Sequence, residues 1–401
     1  MMEPPASLML IQNAEVFAPD PLGKKDVLIT ADRIGWIDDA IQPPTTIPTE
    51  VIDARGKILV PGFIDGHVHI LGGGGEGSYK TRTPEIMLSG ITMGGVTTVV
   101  GCLGTDGVTR TMTNLIAKAR GLEEEGVSCY ILTGSYQIPV RTLTGSILDD
   151  LILIDKVIGV GEVALSDHRS SQPTIDEVAK IAAAARVGGM LSGKAGIVNI
   201  HMGEGERKFQ SLDEIVRTTE IPITQFVPTH VARNAELLKA GIAWAKQGGL
   251  IDFTTSLTRT FPDQGELGCD AILKQVLDAG VPVEQVTFTS DGQGSLPVFD
   301  AAGAFIGLGV GEVASLFQAV RNAVQKQDIS LQTALKVITS NPARNMKLTQ
   351  KGSISVGQDA DLVLLDADLH VDTVMARGQV MVREKEVIVL GMFETGSNST
   401  G

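Results

Sequence analysis

The chain reads as an α/β protein, a (β/α)8 barrel of the TIM type carrying a small β-sandwich domain built from its two ends. Three observations predict this. Eight β-like runs alternate with helix-like runs through the middle of the chain, the pattern of a closed parallel barrel. The flanking stretches 6–55 and 352–390 instead alternate apolar and polar residues around tight turns, as antiparallel strands do. Finally, 401 residues with 43% apolar and 20% charged side chains are enough for a well-filled core.

Taken in order, residues 1–57 and 350–395 are assigned to the β domain, 58–349 to the barrel, and 396–401 (GSNSTG) to a disordered tail. The barrel strands are expected at 58–70 (ILVPGFIDGHVHI), 97–101 (TTVVG), 128–134 (SCYILTG), 157–165 (VIGVGEVAL), 196–202 (GIVNIHM), 223–230 (ITQFVPTH), 250–256 (LIDFTTS) and 285–291 (QVTFTSD). Helices are expected between them, for example at 111–126, 174–189 and 234–249, several of which end in glycine.

Composition narrows the function. A net charge of −14 leaves no basic stripe to neutralise phosphates, so nucleic acid is not an expected partner. No run is long enough for a membrane span, and the N-terminus lacks a basic region followed by a long apolar core. Cys102, Cys129 and Cys269 are widely spaced and match no CxxC pattern, which suggests reduced thiols and a cytoplasmic location.

The six histidines carry the chemical signal. His67 and His69 form an HxH at the end of the first strand, where residues i and i+2 face the same way. His201 ends the fifth strand, His230 the sixth, and Asp291 the eighth, while Glu162 lies in the fourth. In this fold the C-terminal rim of the strands is where catalytic groups gather. Any one strand-end histidine is ordinarily a hydrogen-bonded rim residue, and Asp291 alone could cap a turn. Four imidazoles and two carboxylates at one mouth instead make a metal site, with ligands enough for two divalent ions. His168 and His370 lack such company and are expected to be structural or at the surface.

The stretch PGFIDGHVH, with the late GQDADLVLLDAD, resembles the amidohydrolase superfamily of metal-dependent hydrolases. GGGGEG (72–77), LGTDG (103–107), LTGSY (132–136), SDHRS (166–170), PTHVARN (228–234) and TSDGQGS (289–295) resemble the isoaspartyl dipeptidases in order and spacing, over nearly the whole chain. The resemblance implies hydrolysis of the isopeptide bond of β-aspartyl dipeptides by a hydroxide bridging two divalent ions. His67 and His69 would bind one ion and His201 and His230 the other, with Asp291 touching the first ion and shuttling the proton. It further implies Glu76 for the substrate ammonium, Gly74, Thr105 and Ser295 for the neighbouring carboxylate, and Arg169 and Arg233 for the leaving residue's carboxylate. Tyr136 would meet the carbonyl oxygen as it becomes anionic. The substrate is then a small zwitterionic dipeptide, and related enzymes form large homo-oligomers, so a homo-oligomer is expected. The donor set suits zinc, and also cobalt, manganese or iron.

One position departs from the family. Its well-known members carry a carboxylated lysine on the fourth strand, where this chain has Glu162, with one extra residue nearby, Gly161. Both groups present a monoanionic, two-oxygen ligand, but glutamate is shorter by roughly 3–4 Å at ordinary bond lengths. A bulge at Gly161, carrying the strand toward the metals, is the expected compensation, and no carboxylated lysine is expected. Two other readings remain at this point. A cyclic-amide hydrolase of the dihydroorotase or hydantoinase kind would have no ammonium for Glu76, and a non-catalytic barrel would have no physical need of the ligand set.

Overall fold

Apolar runs with no polar face require cover on both sides, and the strands through the middle of the chain obtain it by curling into a ring inside a shell of helices. The structure, a computed structural model, describes residues 8–256, 259–261, 265–299 and 305–395. Six parallel strands pair in chain order: Phe63–Val68, Val96–Gly101, Ser128–Thr133, Val157–Leu165, Ile197–Met202 and Phe226–Thr229. The seventh and eighth, Ile251–Thr254 and Val286–Thr289, pair in parallel with each other. The ring closes through Val231 N–H to Asp252 O (3.2 Å) on one side, and through His69 N–H to Gly292 O (2.9 Å) on the other. A side-chain staple adds to the sparse backbone pairing of the last three strands. The buried Asp252 carboxylate accepts from the hydroxyls of Thr229 (2.6 Å), Thr287 (2.7 Å) and Thr289 (2.6 Å).

The helices start where capping chemistry places them. Thr111 caps Met112–Glu124, Asn234 caps Ala235–Lys246, and Thr174 with Glu177 forms a capping box on Ile175–Ser192. Their apolar faces, such as Leu115, Ile181 and Leu237, merge with the outer faces of the strands into one core. A smaller cluster, including Ile64, Val100 and Leu132, fills part of the ring interior.

The ends of the chain form one nine-stranded sheet. The strand Leu8–Phe17 pairs in parallel with Thr49–Asp53 along its first half and with Ile58–Pro61 along its second. The sheet therefore branches there, and Ile11, Val27, Leu59, Leu362 and Met375 from its several strands enclose a core of their own. The first expected barrel strand, 58–70, is in fact two: Ile58–Pro61 pairs antiparallel with Leu362–Leu365 of this sheet, and the barrel begins at Phe63. Both pieces are almost wholly buried, so only their distant partners distinguish them. Lys351, 7% exposed, pairs with Asp359 (2.7 Å) and Asp361 in the stretch that leads into the terminal-sheet strand Leu362–Leu365. The expected tail, 396–401, lies outside the described residues.

Candidate active site

The fourth strand, Val157–Leu165, is buried along its whole length, and Glu162 within it is fully buried. A carboxylate there is costly without cationic partners. The strand bulges where the sequence predicts. On the neighbouring strand Val198 sits opposite Val160 and Ile200 opposite Val163, so the fourth strand carries one residue more than its partner. Gly161 takes φ +149°, and a Cβ there would meet Asn199 Cβ and O at 2.9 Å, so only glycine fits. The Gly161–Glu162 peptide is cis.

The Glu162 carboxylate comes to rest among all four strand-end histidines. Its oxygens lie 3.1 Å from His201 Nδ1, 3.5 Å from His67 Nε2, 3.5 Å from His69 Nε2 and 3.6 Å from His230 Nε2. Asp291 Oδ1 lies 3.0 Å from His69 Nε2 and 3.7 Å from His67 Nε2. The possible ligand atoms form two clusters sharing Glu162, each with its atoms within 4.8 Å of one another. One is His67, His69, Cys102 and Glu162; the other is Glu162, His201 and His230.

The donor set fits divalent cations. Among the described residues, both ring nitrogens of His67, Glu162 Oε1 and Asp291 Oδ1 are buried with no hydrogen-bond partner, an arrangement that is costly unless a cation meets these atoms. Burial alone would raise Glu162, but His67, His201 and His230 hold it well below the usual carboxylate range. Burial likewise opposes ionisation of Asp291, and His69, His230 and His67 outweigh it. Burial works against charging His67 and His69, yet Cys102 and the facing carboxylates keep both well above the usual imidazole range. His230 is pushed down to about 3 by burial and Arg233.

Around this centre the other predicted residues line one cavity of about 260 Å³, among them Gly74, Glu76, Thr105, Tyr136, Arg169, Arg233 and Ser295. Thr105 Oγ1 donates to Glu76 Oε1 (2.8 Å), and Arg169 Nη1 lies 3.2 Å from the same oxygen. Gly74, at φ +69°, lies so close to Ser295 that a Cβ would sit 2.6 Å from the serine Cβ. The Tyr136 hydroxyl is 2.7 Å from His201 Nδ1, and burial with the nearby Glu162 charge raises its pKa well above the ordinary phenol value. It therefore stays a proton donor. His168 is exposed, and His370 pairs with Asp366 in the terminal sheet at 3.3 Å, both away from the centre as expected.

Four residues at the site escaped the sequence reading. Asp167 holds Arg169 by two bonds (3.0 and 2.8 Å), and its Oδ2 lies 3.1 Å from His201 Nε2, while His201 Nδ1 faces Glu162 and the Tyr136 hydroxyl. It lies in the SDHRS stretch that singles out Arg169. Asp65 Oδ1 accepts from the backbone N–H groups of Ser290 (3.1 Å) and His67 (3.3 Å), fixing the first strand against the eighth beside Asp291. Glu204 lines the cavity mouth. Cys102, one residue past the second strand, belongs to the first ligand cluster.

The amidohydrolase family model matches residues 58–381. The chain belongs to the amidohydrolase family. The expected likeness to isoaspartyl dipeptidases is borne out by solved structures. This amidohydrolase is 46% identical to a β-aspartyl dipeptidase of the thermophilic keratin-degrading Fervidobacterium islandicum AW-1 in complex with β-Asp-Leu, covering 96% of this chain and 98% of that one at a TM-score of 0.89. A second structure of the β-aspartyl dipeptidase from that organism gives 44% identity, 95% and 98% coverage, and 0.86. A dihydropyrimidinase from Brevibacillus agri NCHU1002, at 20% identity, 96% and 97% coverage and a TM-score of 0.68, shares the fold. Among curated proteins, a dihydroorotase of Staphylococcus aureus is 40% identical over 92 residues, 23% of this chain; the amidohydrolase spans only 20% of that relative's length. No helix among its described residues is long and apolar enough to cross a membrane.

Proposed function

We propose that this amidohydrolase cleaves the isopeptide bond of β-aspartyl dipeptides. The observation that carries this reading is its near-full-length relation to a β-aspartyl dipeptidase captured with β-Asp-Leu. The charges lining the cavity support it, because an acid, Glu76, and two guanidiniums, Arg169 and Arg233, suit a zwitterion. His67, His69, Glu162, His201 and His230, with Asp291 beside them, would hold two divalent ions, zinc being a good match to this donor set. When bound, such ions polarise the amide carbonyl and bring the pKa of water near neutrality.

The protein's own groups do the rest. Glu76 takes the α-ammonium of the β-aspartyl residue, and Gly74, Thr105 and Ser295 receive its free carboxylate. Arg169 and Arg233 hold the carboxylate of the leaving residue, with the Arg169 guanidinium kept in position by Asp167. Both substrate charges thereby replace the Arg169–Glu76 ion pair. Tyr136 turns its proton toward the carbonyl oxygen as negative charge develops there. Asp291, held ionised, takes the proton from the attacking water and returns it to the departing amine.

The test is a hydrolysis screen of β-Asp-X against α-Asp-X dipeptides, dihydroorotate and hydantoins, with metal content measured on the same sample. The expected outcome is turnover confined to β-Asp-X. Turnover of dihydroorotate or hydantoins alone would replace this reading with a cyclic-amide hydrolase, and a metal-free, inert protein would leave a barrel without catalysis.

A further inference from the structure

The two ligand clusters are unequal. The second, Glu162, His201 and His230, contains three residues, and all of them line the cavity. The first contains four, His67, His69, Glu162 and Cys102, and neither His67 nor Cys102 lines the cavity. Cys102 is 1% exposed. Its sulfur lies 3.8 Å from Val68 O and 3.9 Å from His69 Nδ1, so it is committed to no short hydrogen bond. Beside it, both ring nitrogens of His67 and Glu162 Oε1 are buried and have no hydrogen-bond partner among the described residues. At the edge of the hydrophobic cluster that includes Val100 and Leu132, the thiol thus also stands among orphaned imidazole and carboxylate atoms, where it can serve as a donor.

We infer that Cys102 is a metal ligand, its thiolate joining His67, His69 and Glu162 around the first ion, beside Asp291, so that the first ion is held by more protein groups than the second. This rests on the proposed metal-dependent function. Zinc sites with four protein ligands are closed and tightly held, whereas those with three keep a position for water. Cavity access agrees, since it is the three-residue cluster that faces the substrate space along its whole set. A thiolate also biases the first site toward softer ions such as zinc over manganese or magnesium. Binding there releases the thiol proton to solvent.

The decisive measurement is X-ray absorption at the zinc edge of the zinc-loaded wild-type protein, with the ions counted on the same sample. The expected result is two zinc ions with one sulfur scatterer between them, at about 2.3 Å. In Cys102→Ser the sulfur shell should vanish, and competition with a chelator should show the tighter ion weakened ten-fold or more. The cobalt-loaded wild type should show a near-ultraviolet thiolate-to-cobalt band that Cys102→Ser lacks. Bound zinc with a shell of nitrogen and oxygen only would overturn the inference while leaving the proposed function intact. A wild-type protein that binds no zinc would overturn both. The wild-type spectrum decides the matter even if the variant fails to fold.

Discussion

Two buried clusters of charge in this molecule are built on opposite principles. At the junction with the terminal sheet, beside the starts of the third and fourth barrel strands, Lys351 meets Asp359 and Asp361, and Arg33 reaches Asp359 as well. There, cations and anions from the chain answer each other. At the opposite rim, Glu162 and Asp291 face four histidines, and several of the atoms directed at one another have no partner. The first arrangement is complete in the polypeptide alone and serves stability. The second leaves buried donor atoms unanswered among the described residues, the arrangement expected of a site that takes a cation from outside and does chemistry there.

Substitutions should break the two clusters in different currencies. Asp291→Asn should lower kcat on β-Asp-Leu by a factor on the order of 10²–10⁴, with the melting temperature little changed. A variant that keeps wild-type kcat would remove Asp291 from proton transfer. Lys351→Met should instead leave kcat/KM intact while costing about 3–5 kcal/mol in denaturant unfolding, because the buried Asp361 carboxylate loses its cation while Asp359 keeps Arg33. Burial opposes the Lys351 charge, but Asp361 and Asp359 prevail and raise its pKa above 10.5. A raised lysine pKa contributes stability that is whole below pH 10.5 and is lost as pH climbs through the higher folded value. Wild-type unfolding measured against pH should show this alkaline loss, and Lys351→Met should flatten it.

Smaller effects sharpen the contrast within the rim. Glu76→Gln removes a charged hydrogen bond of about 1.5–3 kcal/mol, so kcat/KM for β-Asp-Leu should fall roughly ten- to hundred-fold. An unaffected enzyme would mean that no substrate ammonium rests there. The smallest expected effect is none: metal-free protein reconstituted with zinc in carbon-dioxide-depleted buffer should regain activity without bicarbonate. Recovery that requires bicarbonate would show that Glu162 does not take the place of a carboxylated lysine.

The barrel and most of its rim were legible in the sequence because position on a strand is a periodic property. His67, His69, His201, His230 and Asp291 stand at strand ends, and Glu162 breaks an apolar run, so each declares itself locally. The bulge was legible from a glycine and a reach deficit. Cys102 was not, because a cysteine after the apolar TTVVG is indistinguishable from core until the fold shows what lies beside it. Asp167 and Asp65 act by holding other site residues, a role that exists only in three dimensions. The split of 58–70 between sheet and barrel was hidden for a related reason, since the strand Ile58–Pro61 is claimed by Leu362–Leu365, some three hundred residues away in the chain.

The bulge at Gly161 ties two features of the site into one. With φ at +149° and Asn199 pressed against its α-carbon, that position accepts glycine alone, and Glu162 stands where it does because of the bulge that glycine permits. The glycine and the carboxylate therefore act as one unit: a side chain at 161 would move Glu162 away from the four histidines it faces.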